Sequence, residues 1–299
     1  IADVYAYEAG QLPLPGLAGP GKSDVREVAN YAYALEYALR RAQELPLSLR
    51  LLRETHRRLM AGVRGEHLTP GEFRKSQNWI GSPGCSLSTA TFVPPPVDEM
   101  SEALSSLEKY FHAADDPYHP LLRLAFIHYQ FEAIHPFLDG NGRIGRLLIS
   151  FLLVHWELLS LPLLYLSAYF EAHRDEYYRL LLAVSERGAW HDWVLFFLRG
   201  VAEQARDASS RARRLRQLYG EWRRNLQDVH VVGTAEYLVD LLFEQPIISA
   251  RQAQERLGVS HQTAMAAFRR LESLGILREL TGRARNRLYV ASAIMDIVQ

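Results

Sequence analysis

The feature that most constrains the fold is a polar, glycine-rich turn directly before a long apolar segment. Residues 133–148 read "AIHPFLDGNGRIGRLL", and residues 147–166 read "LLISFLLVHWELLSLPLLYL". His155, Glu157 and Pro162 interrupt the apolar segment, so it is not a membrane span and predicts a buried helix. A helix that is apolar on every side must be covered by other helices.

Those other helices are predicted from apolar residues at helical spacing. After a Pro/Gly-rich opening, the spacing recurs in six further segments. They are residues 25–44, 47–63, 97–112, 120–133, 168–187 and 190–224. The expected fold class is therefore mainly α.

One segment departs from this pattern. The runs "SQNWIG" (76–81) and "ATFVPP" (90–95) flank a Gly/Ser/Pro-rich stretch. Short runs of this kind around turn residues predict a small β-hairpin flap.

The C-terminal part has a different order. Residues 233–299 suggest a helix, a short strand, a helix, a tight turn at Gly258, another helix and two strands. This order is typical of a winged helix-turn-helix. We therefore expect four parts: an N-terminal segment with a Pro/Gly loop (1–24), a helical domain (25–205), a connecting helix (206–232) and the winged domain (233–299).

Composition narrows the class of protein. The 299 residues are 48% hydrophobic, and the single cysteine, Cys85, excludes a disulfide framework. A cytoplasmic protein without a membrane anchor is expected. Residues 1–205 hold 19 basic and 24 acidic residues, whereas residues 206–299 hold 15 and 10. Because Ile1 is not an initiator methionine, a fragment of a longer protein is expected.

The glycine-rich turn has the chemistry of an anion site. Gly140 and Gly142 allow close backbone approach, and the helix that follows presents unpaired N–H groups and the positive end of its dipole. Arg143 and Arg146, three residues apart, are expected on one side of its first turn. Two guanidinium groups facing one anion site suggest more than one phosphate.

Two further side chains suggest a reaction. A carboxylate at Asp139 can join Mg²⁺ to phosphates, and His135 can take a proton from an attacking hydroxyl. Direct transfer from a nucleotide to a hydroxyl follows, without a covalent intermediate. No P-loop pattern, GxxxxGK[ST], is present. Glu132, three residues before His135, could orient that histidine or lie exposed.

"HPFLDGNGR" together with Arg146 resembles the signature of Fic-domain proteins, HxFx[DE]GNGRxxR, at every defined position. The resemblance extends over about residues 25–200. It implies that AMP is moved from ATP to a Ser, Thr or Tyr hydroxyl of a target protein, with release of pyrophosphate. A homodimer is left open.

The resemblance also implies residue roles. His135 would be the general base, Asp139 the Mg²⁺ ligand and Phe137 the loop anchor. Phosphates would be held by Gly140, Asn141, Gly142, Arg143 and Arg146. Tyr177 and Tyr178 are candidates for the adenine and ribose wall. The target-docking flap would comprise Gln77, Asn78, Trp79, Ile80, Gly81, Ala90, Thr91, Phe92 and Val93.

Many Fic proteins carry an inhibitory helix with the pattern [ST]xxxE[GN]. The string "SAYFEA" from Ser167 fails at the final position and lies in the wrong region. Relatives that resemble this chain place the helix ahead of a Pro/Gly loop. Whether an inhibitory helix precedes Ile1 is left open, and removal of AMP, which in relatives uses the glutamate of that helix, is not predicted.

Other hypotheses remain. A Fic enzyme could move a different phosphate-containing group, or the core could be an inactive nucleotide sensor in a DNA-binding regulator. In the winged domain, the DNA candidates are Ser260, His261, Gln262 and Thr263 for the major groove and Arg283, Arg285 and Arg287 for phosphates. The alternative is a protein-interaction module of the same fold.

Overall fold

The computed structural model describes residues 22–82, 84–113, 115–230, 232–282 and 287–298, with side chains from Val25 onward. The predicted segment 1–24 lies outside the described residues, except that its last three residues belong to the first helix. Two compact units are present, Glu27–Arg206 and one that includes Asp207–Gln299.

The first unit is helical, as predicted. Its helices are α1 (Lys22–Arg41), α2 (Leu49–Leu59), α3 (Val97–Phe111), α4 (Pro120–Ile134), α5 (Asn141–His155), α6 (Leu166–Ala172), α7 (Arg174–Arg187) and α8 (Trp190–Asp228), which continues into the second unit. Because α8 runs unbroken through residue 205, no loop marks the domain boundary predicted there. That boundary stays a prediction.

Helix α5 is the buried helix that the apolar segment predicts. Every residue from Leu147 to Leu153 is buried, and α2 and α4 pack against it. The helix ends at His155 rather than near residue 159, because Glu157 takes a left-handed backbone conformation with φ 58°. The segment predicted as one helix over 168–187 is divided at His173 into α6 and α7.

The flap, defined here as residues 77–94, is less regular than the predicted hairpin. It contains one antiparallel bridge, in which Ile80 and Phe92 exchange backbone hydrogen bonds of 2.9 and 3.0 Å. A short 3-10 turn, Leu87–Thr89, lies between the two arms. Pro94, Pro95 and Pro96 have no N–H groups, so the second arm cannot extend the ladder.

The second unit has the predicted winged helix-turn-helix order. Its elements after α8 are α9 (Thr234–Glu244), β1 (Ile247–Ser249), α10 (Ala250–Leu257), α11 (His261–Ser273), β2 (Arg278–Glu279), β3 (Leu288–Val290) and α12 (Ser292–Val298). The strands are antiparallel in the order β1-β3-β2, with Ile248 opposite Tyr289. Gly258, at φ 63°, ends α10 before the turn. The closing helix α12 was not predicted.

Among the described residues, no helix combines the length and hydropathy needed to cross a bilayer.

Candidate active site

The motif loop, defined as residues 135–140, connects α4 to α5. His135 closes α4 in a left-handed conformation with φ 48° and ψ 60°, while its N–H still donates to the carbonyl of Phe131 at 3.0 Å. This conformation costs a non-glycine residue about 1–3 kcal/mol. Other contacts must therefore hold His135 in place.

Arg74 supplies much of that support. Its side chain is 1% exposed, and its guanidinium donates to three backbone carbonyls: His135 at 3.1 Å, Ser76 at 3.2 Å and Pro95 at 2.5 Å. Its own N–H donates to the carbonyl of Pro136 at 2.9 Å. One buried guanidinium therefore ties the motif loop to residues that border both arms of the flap.

Two asparagines complete the loop. Asn141 is buried, accepts from the N–H of Phe137 at 2.8 Å and donates to the carbonyl of Phe137 at 2.7 Å. Asn78 donates from the flap to the carbonyls of His135 and Phe137 at 3.2 and 3.0 Å. The Asn141 side chain thus closes the loop, so only its backbone N–H remains for the predicted phosphate.

Phe137 anchors the loop in the core. Its side chain is fully buried and stacks on His56, with ring centroids 3.7 Å apart and planes 7° apart. His56 Nδ1 accepts from the N–H of Gly71, and Nε2 donates to the carbonyl of Asp139, both at 2.9 Å. Burial, the main cause, lowers the pKa of His56 to about 4, which keeps this ring neutral.

The imidazole of His135 is oriented by the last turn of α4. Nδ1 lies 3.2 Å from the carbonyl oxygen of Glu132. A carbonyl oxygen only accepts, so Nδ1 carries the proton and Nε2 keeps its lone pair. Burial chiefly lowers the pKa of His135 from 6.5 to about 4, and the charge of Arg74 acts in the same direction. The ring is therefore a neutral proton acceptor at neutral pH.

This pKa gives a pH prediction. The NMR signal of His135, assigned by its loss in His135→Ala, should keep the position of a neutral imidazole from about pH 8 down to about pH 5. Protonation should follow only as pH falls through about 4. A midpoint near 6.5, the ordinary histidine value, would contradict the burial seen here.

The start of α5 presents backbone N–H groups that have no acceptor within the helix. Gly140 precedes the helix at φ 82°, and a Cβ there would stand 2.6 Å from Met60 Sδ. Only glycine fits both the conformation and the space. The first helical bond runs from the N–H of Ile144 to the carbonyl of Gly140 at 3.0 Å. The N–H groups of residues 141–143 precede that bond and have no intrahelical acceptor.

The two motif arginines have different surroundings. Arg143 lies 3.4 Å from Glu27 Oε2 and 3.4 Å from Asp139 Oδ1, and it donates to the carbonyl of Arg64 at 3.3 Å. Arg146 extends back toward Gly142, and among the described residues it makes no hydrogen bond or ion pair. Arg146 is thus the cation available to a ligand.

Asp139 fits a magnesium ligand. Its side chain is 31% exposed, and Oδ1 accepts from the N–H of Gly140 at 2.6 Å. Within the described ranges, no cluster of three His, Cys, Asp or Glu side chains forms a metal site. Mg²⁺ commonly binds through one carboxylate plus substrate phosphates and water, and Asp139 can supply that one carboxylate.

A cleft of about 800 Å³ opens beside the motif loop. Its lining comes from the flap, α4, the start of α5, and α7. These residues are Trp79, Ile80, Gly81, Ser82, Thr91, Phe92, Tyr129, Glu132, Ala133, His135, Gly142, Arg174, Asp175, Tyr178, Leu181, Leu182 and Ser185. Of the two tyrosines suggested for the nucleoside wall, Tyr178 lines the cleft, whereas Tyr177 is buried and bonds to His128.

The flap residues divide by exposure. Trp79, Gly81, Thr91 and Val93 are exposed, and Gln77, Ile80, Ala90 and Phe92 are half-buried. Gln77 donates to the carbonyl of Pro94 at 2.8 Å, which joins the two arms. Asn78 points inward, so its side chain is not available to a docked peptide.

The sequence analysis assigned no role to three residues that contact this site. Arg74 and His56 act on backbone carbonyls of the motif loop, and Glu27 contacts Arg143. Glu27 follows Ser23 by four positions, as in the inhibitory pattern, but Val28 fails its last position.

In the winged domain, α11 begins with an exposed polar turn. Ser260 caps the helix by accepting from the N–H of Thr263 at 3.1 Å, while His261 and Gln262 are exposed beside it. A hydrogen bond from the Thr281 hydroxyl chiefly lowers the pKa of Glu279, and the charge of the exposed Arg287 acts in the same direction. Arg283 and Arg285 lie outside the described residues.

Fold and site together define a helical domain in which a glycine turn precedes a helix start with unpaired backbone N–H groups. Residues 46–153 match the model of the Fic/DOC family, and residues 236–289 match a model described as an HTH DNA binding domain. The chain therefore contains a Fic/DOC family domain followed by a helix-turn-helix domain, which confirms the resemblance seen in the signature.

Two curated relatives are similar to this chain in sequence. Protein adenylyltransferase Fic of Drosophila persimilis is 28% identical over 176 residues, covering 57% of this chain and 31% of that protein. Its counterpart in Drosophila grimshawi is 29% identical, with 57% and 32% covered. The chain thus spans about a third of the length of these relatives.

Solved structures share the fold. A Fic family protein from Desulfovibrio desulfuricans G20 has a TM-score of 0.58 at 21% identity, covering 97% of this chain and 80% of that one. Fic-1 from C. elegans has a TM-score of 0.50 at 22% identity, covering 69% and 56%.

Proposed function

We propose that this chain is a protein adenylyltransferase that moves AMP from ATP to a Ser, Thr or Tyr hydroxyl of a target protein. The observation that carries the proposal is the Nε2 lone pair of His135 in a cleft that also reaches the anion-receiving start of α5. A general base and a phosphate cradle in one cleft are the two parts that nucleotide transfer to a hydroxyl needs. Relatives named protein adenylyltransferase favour AMP as the group moved.

In this mechanism the backbone N–H groups of residues 141–143 hold the α-phosphate, and Arg146 meets the outer phosphates. Magnesium held by Asp139 would neutralise phosphate charge, and Arg143 would hold the Asp139 carboxylate in position. The target hydroxyl oxygen bonds to the α-phosphorus while its proton passes to His135 Nε2. The bond from the α-phosphorus to the bridging oxygen breaks, and pyrophosphate leaves.

The flap would present the target. Because Ile80 and Phe92 form a single bridge, the arms keep backbone groups that an extended peptide can pair with as an added strand. Trp79 and Val93 are exposed next to this bridge. They would contact the side chains that flank the modified hydroxyl.

The test uses ATP labelled at either the α or the γ phosphate, incubated with the chain, Mg²⁺ and a desalted protein extract. Label from the α position alone on Ser, Thr or Tyr supports AMP transfer. Label from the γ position alone would show phosphoryl transfer instead. No label from either position, with nucleotide bound, would favour the inactive sensor.

We also propose that the helix-turn-helix domain binds duplex DNA through the exposed start of α11, where His261 and Gln262 lie. Base edges in the major groove are commonly read from the first turn of such a helix. Gln262→Ala should weaken binding to a selected duplex and leave binding to a random duplex unchanged, measured by fluorescence anisotropy. Absence of salt-sensitive binding to both duplexes would favour a protein-interaction module.

A further inference from the structure

Glu132 lines the cleft, and one of its two carboxyl oxygens is buried without a partner. Glu132 Oε1 is buried without a hydrogen-bond partner, and Glu132 takes part in none of the ion pairs among the described residues. The oxygen rests against Gly145, where a Cβ would stand only 2.4 Å away. Burial is the main cause that raises the pKa of Glu132 to about 7, and the charge of Arg146 opposes it.

A carboxyl group in this state does not stabilise the fold. Removing it from water without a partner is unfavourable, so its presence calls for another explanation. It does not orient His135, because the backbone carbonyl of Glu132 makes that contact. The explanation should therefore be sought in what enters the cleft.

The position of Glu132 along α4 indicates what it would meet. It lies three residues before His135, which is about 4.5 Å along the helix axis. Tyr129 lies another three residues back, and its hydroxyl is 2.9 Å from Ser185 Oγ on α7. Leu181 and Leu182 line the same α7 wall. Along α4, away from the motif loop, the cleft lining therefore passes from the start of α5 to a carboxyl group and then to the leucines of α7.

A nucleotide has its parts in the same order: phosphates, sugar and base. With the α-phosphate at the start of α5, the sugar comes next to Glu132 and the base next to Leu181 and Leu182. A carboxylate accepts hydrogen bonds, and a ribose offers two hydroxyl donors. We propose that Glu132 accepts a hydrogen bond from a ribose hydroxyl and thereby selects ribonucleotides over deoxyribonucleotides. This inference rests on the proposed function.

Calorimetry of the full chain with three magnesium nucleotides tests it: ATP, 2′-deoxy-ATP and 3′-deoxy-ATP. The wild-type chain should bind at least one deoxy analogue roughly 10- to 100-fold more weakly than ATP. In Glu132→Leu, ATP should bind as weakly as that analogue, so the preference disappears. Glu186→Leu, which removes an exposed carboxylate from α7, should keep the wild-type preference.

Three results would overturn the inference alone. The first is ATP binding with no preference in the wild type, and the second is a preference that survives in Glu132→Leu. The third is an equal loss of affinity for all three nucleotides in Glu132→Leu, because Glu132 would then act through Arg146 on the phosphates. If no nucleotide binds the wild-type chain, the proposed function itself fails.

Melting temperatures separate a ligand role from a structural one. Glu132→Leu should melt no lower than the wild type, since it removes an unsatisfied buried carboxyl, and the isosteric Glu132→Gln, which keeps an unsatisfied polar group, should melt close to the wild type. A lower melting temperature combined with an unchanged ribose preference would assign Glu132 to the fold and overturn the proposal.

Discussion

Replacing His135 with alanine should lower the rate of AMP transfer roughly 10²- to 10⁴-fold, the usual contribution of a general base. The neutral imidazole is the proton acceptor identified in the cleft, and alanine has none. ATP affinity should change little, because the phosphates are assigned to the start of α5 and to Arg146. Transfer from α-labelled ATP and calorimetric binding of ATP measure the two effects.

The matched control is His191→Ala, an exposed histidine near the start of α8. It should transfer AMP at the wild-type rate. If His135→Ala also keeps the wild-type rate, His135 is not the base. If His135→Ala loses ATP binding to the same degree as transfer, the histidine serves the site's structure and the assignment fails.

Replacing Phe137 with alanine should lower the free energy of unfolding by about 3–5 kcal/mol, as for other fully buried aromatic side chains. The variant loses the stacked contact with His56 and leaves a cavity under the motif loop. Urea unfolding followed by circular dichroism measures the change. Because His56 also holds the carbonyl of Asp139, the affinity for ATP should fall together with stability.

Phe137→Leu is the control for this prediction. Leucine restores most of the buried volume without the aromatic ring, so the loss of stability should be much smaller. If Phe137→Ala unfolds within 1 kcal/mol of the wild type, the loop does not depend on its anchor and the role assigned to Phe137 is wrong.

The sequence was sufficient for the helical fold, the winged domain and the glycine turn before α5, because each depends on local patterns. The continuous apolar segment predicted the buried α5, and the glycines predicted the turn before it. The ends of helices were less accurate: α5 stops at His155 because Glu157 leaves the helical conformation. The predicted hairpin has only one bridge, because Pro94, Pro95 and Pro96 have no N–H groups to extend the ladder.

The support of the motif loop could not be predicted. Arg74 and Asn78 donate to backbone carbonyls of residues 57–61 positions away, and every residue type offers such a carbonyl. The spacing of apolar residues also did not predict whether Glu132 is buried or exposed, because α4 buries residues on most of its faces. From the sequence alone, an acidic residue at this position of α4 could face either solvent or a cleft, because the positions of the neighbouring helices decide between the two.

The contacts of Arg74 have a consequence for changing the targets of the proposed enzyme. Its bonds go to main-chain atoms at Ser76, Pro95 and His135, and the outward side chains of Trp79 and Val93 take no part in them. Libraries that vary the outward positions should therefore yield altered substrate preference without loss of turnover. Insertions or deletions between residues 75 and 95 should instead displace the base and give inactive clones.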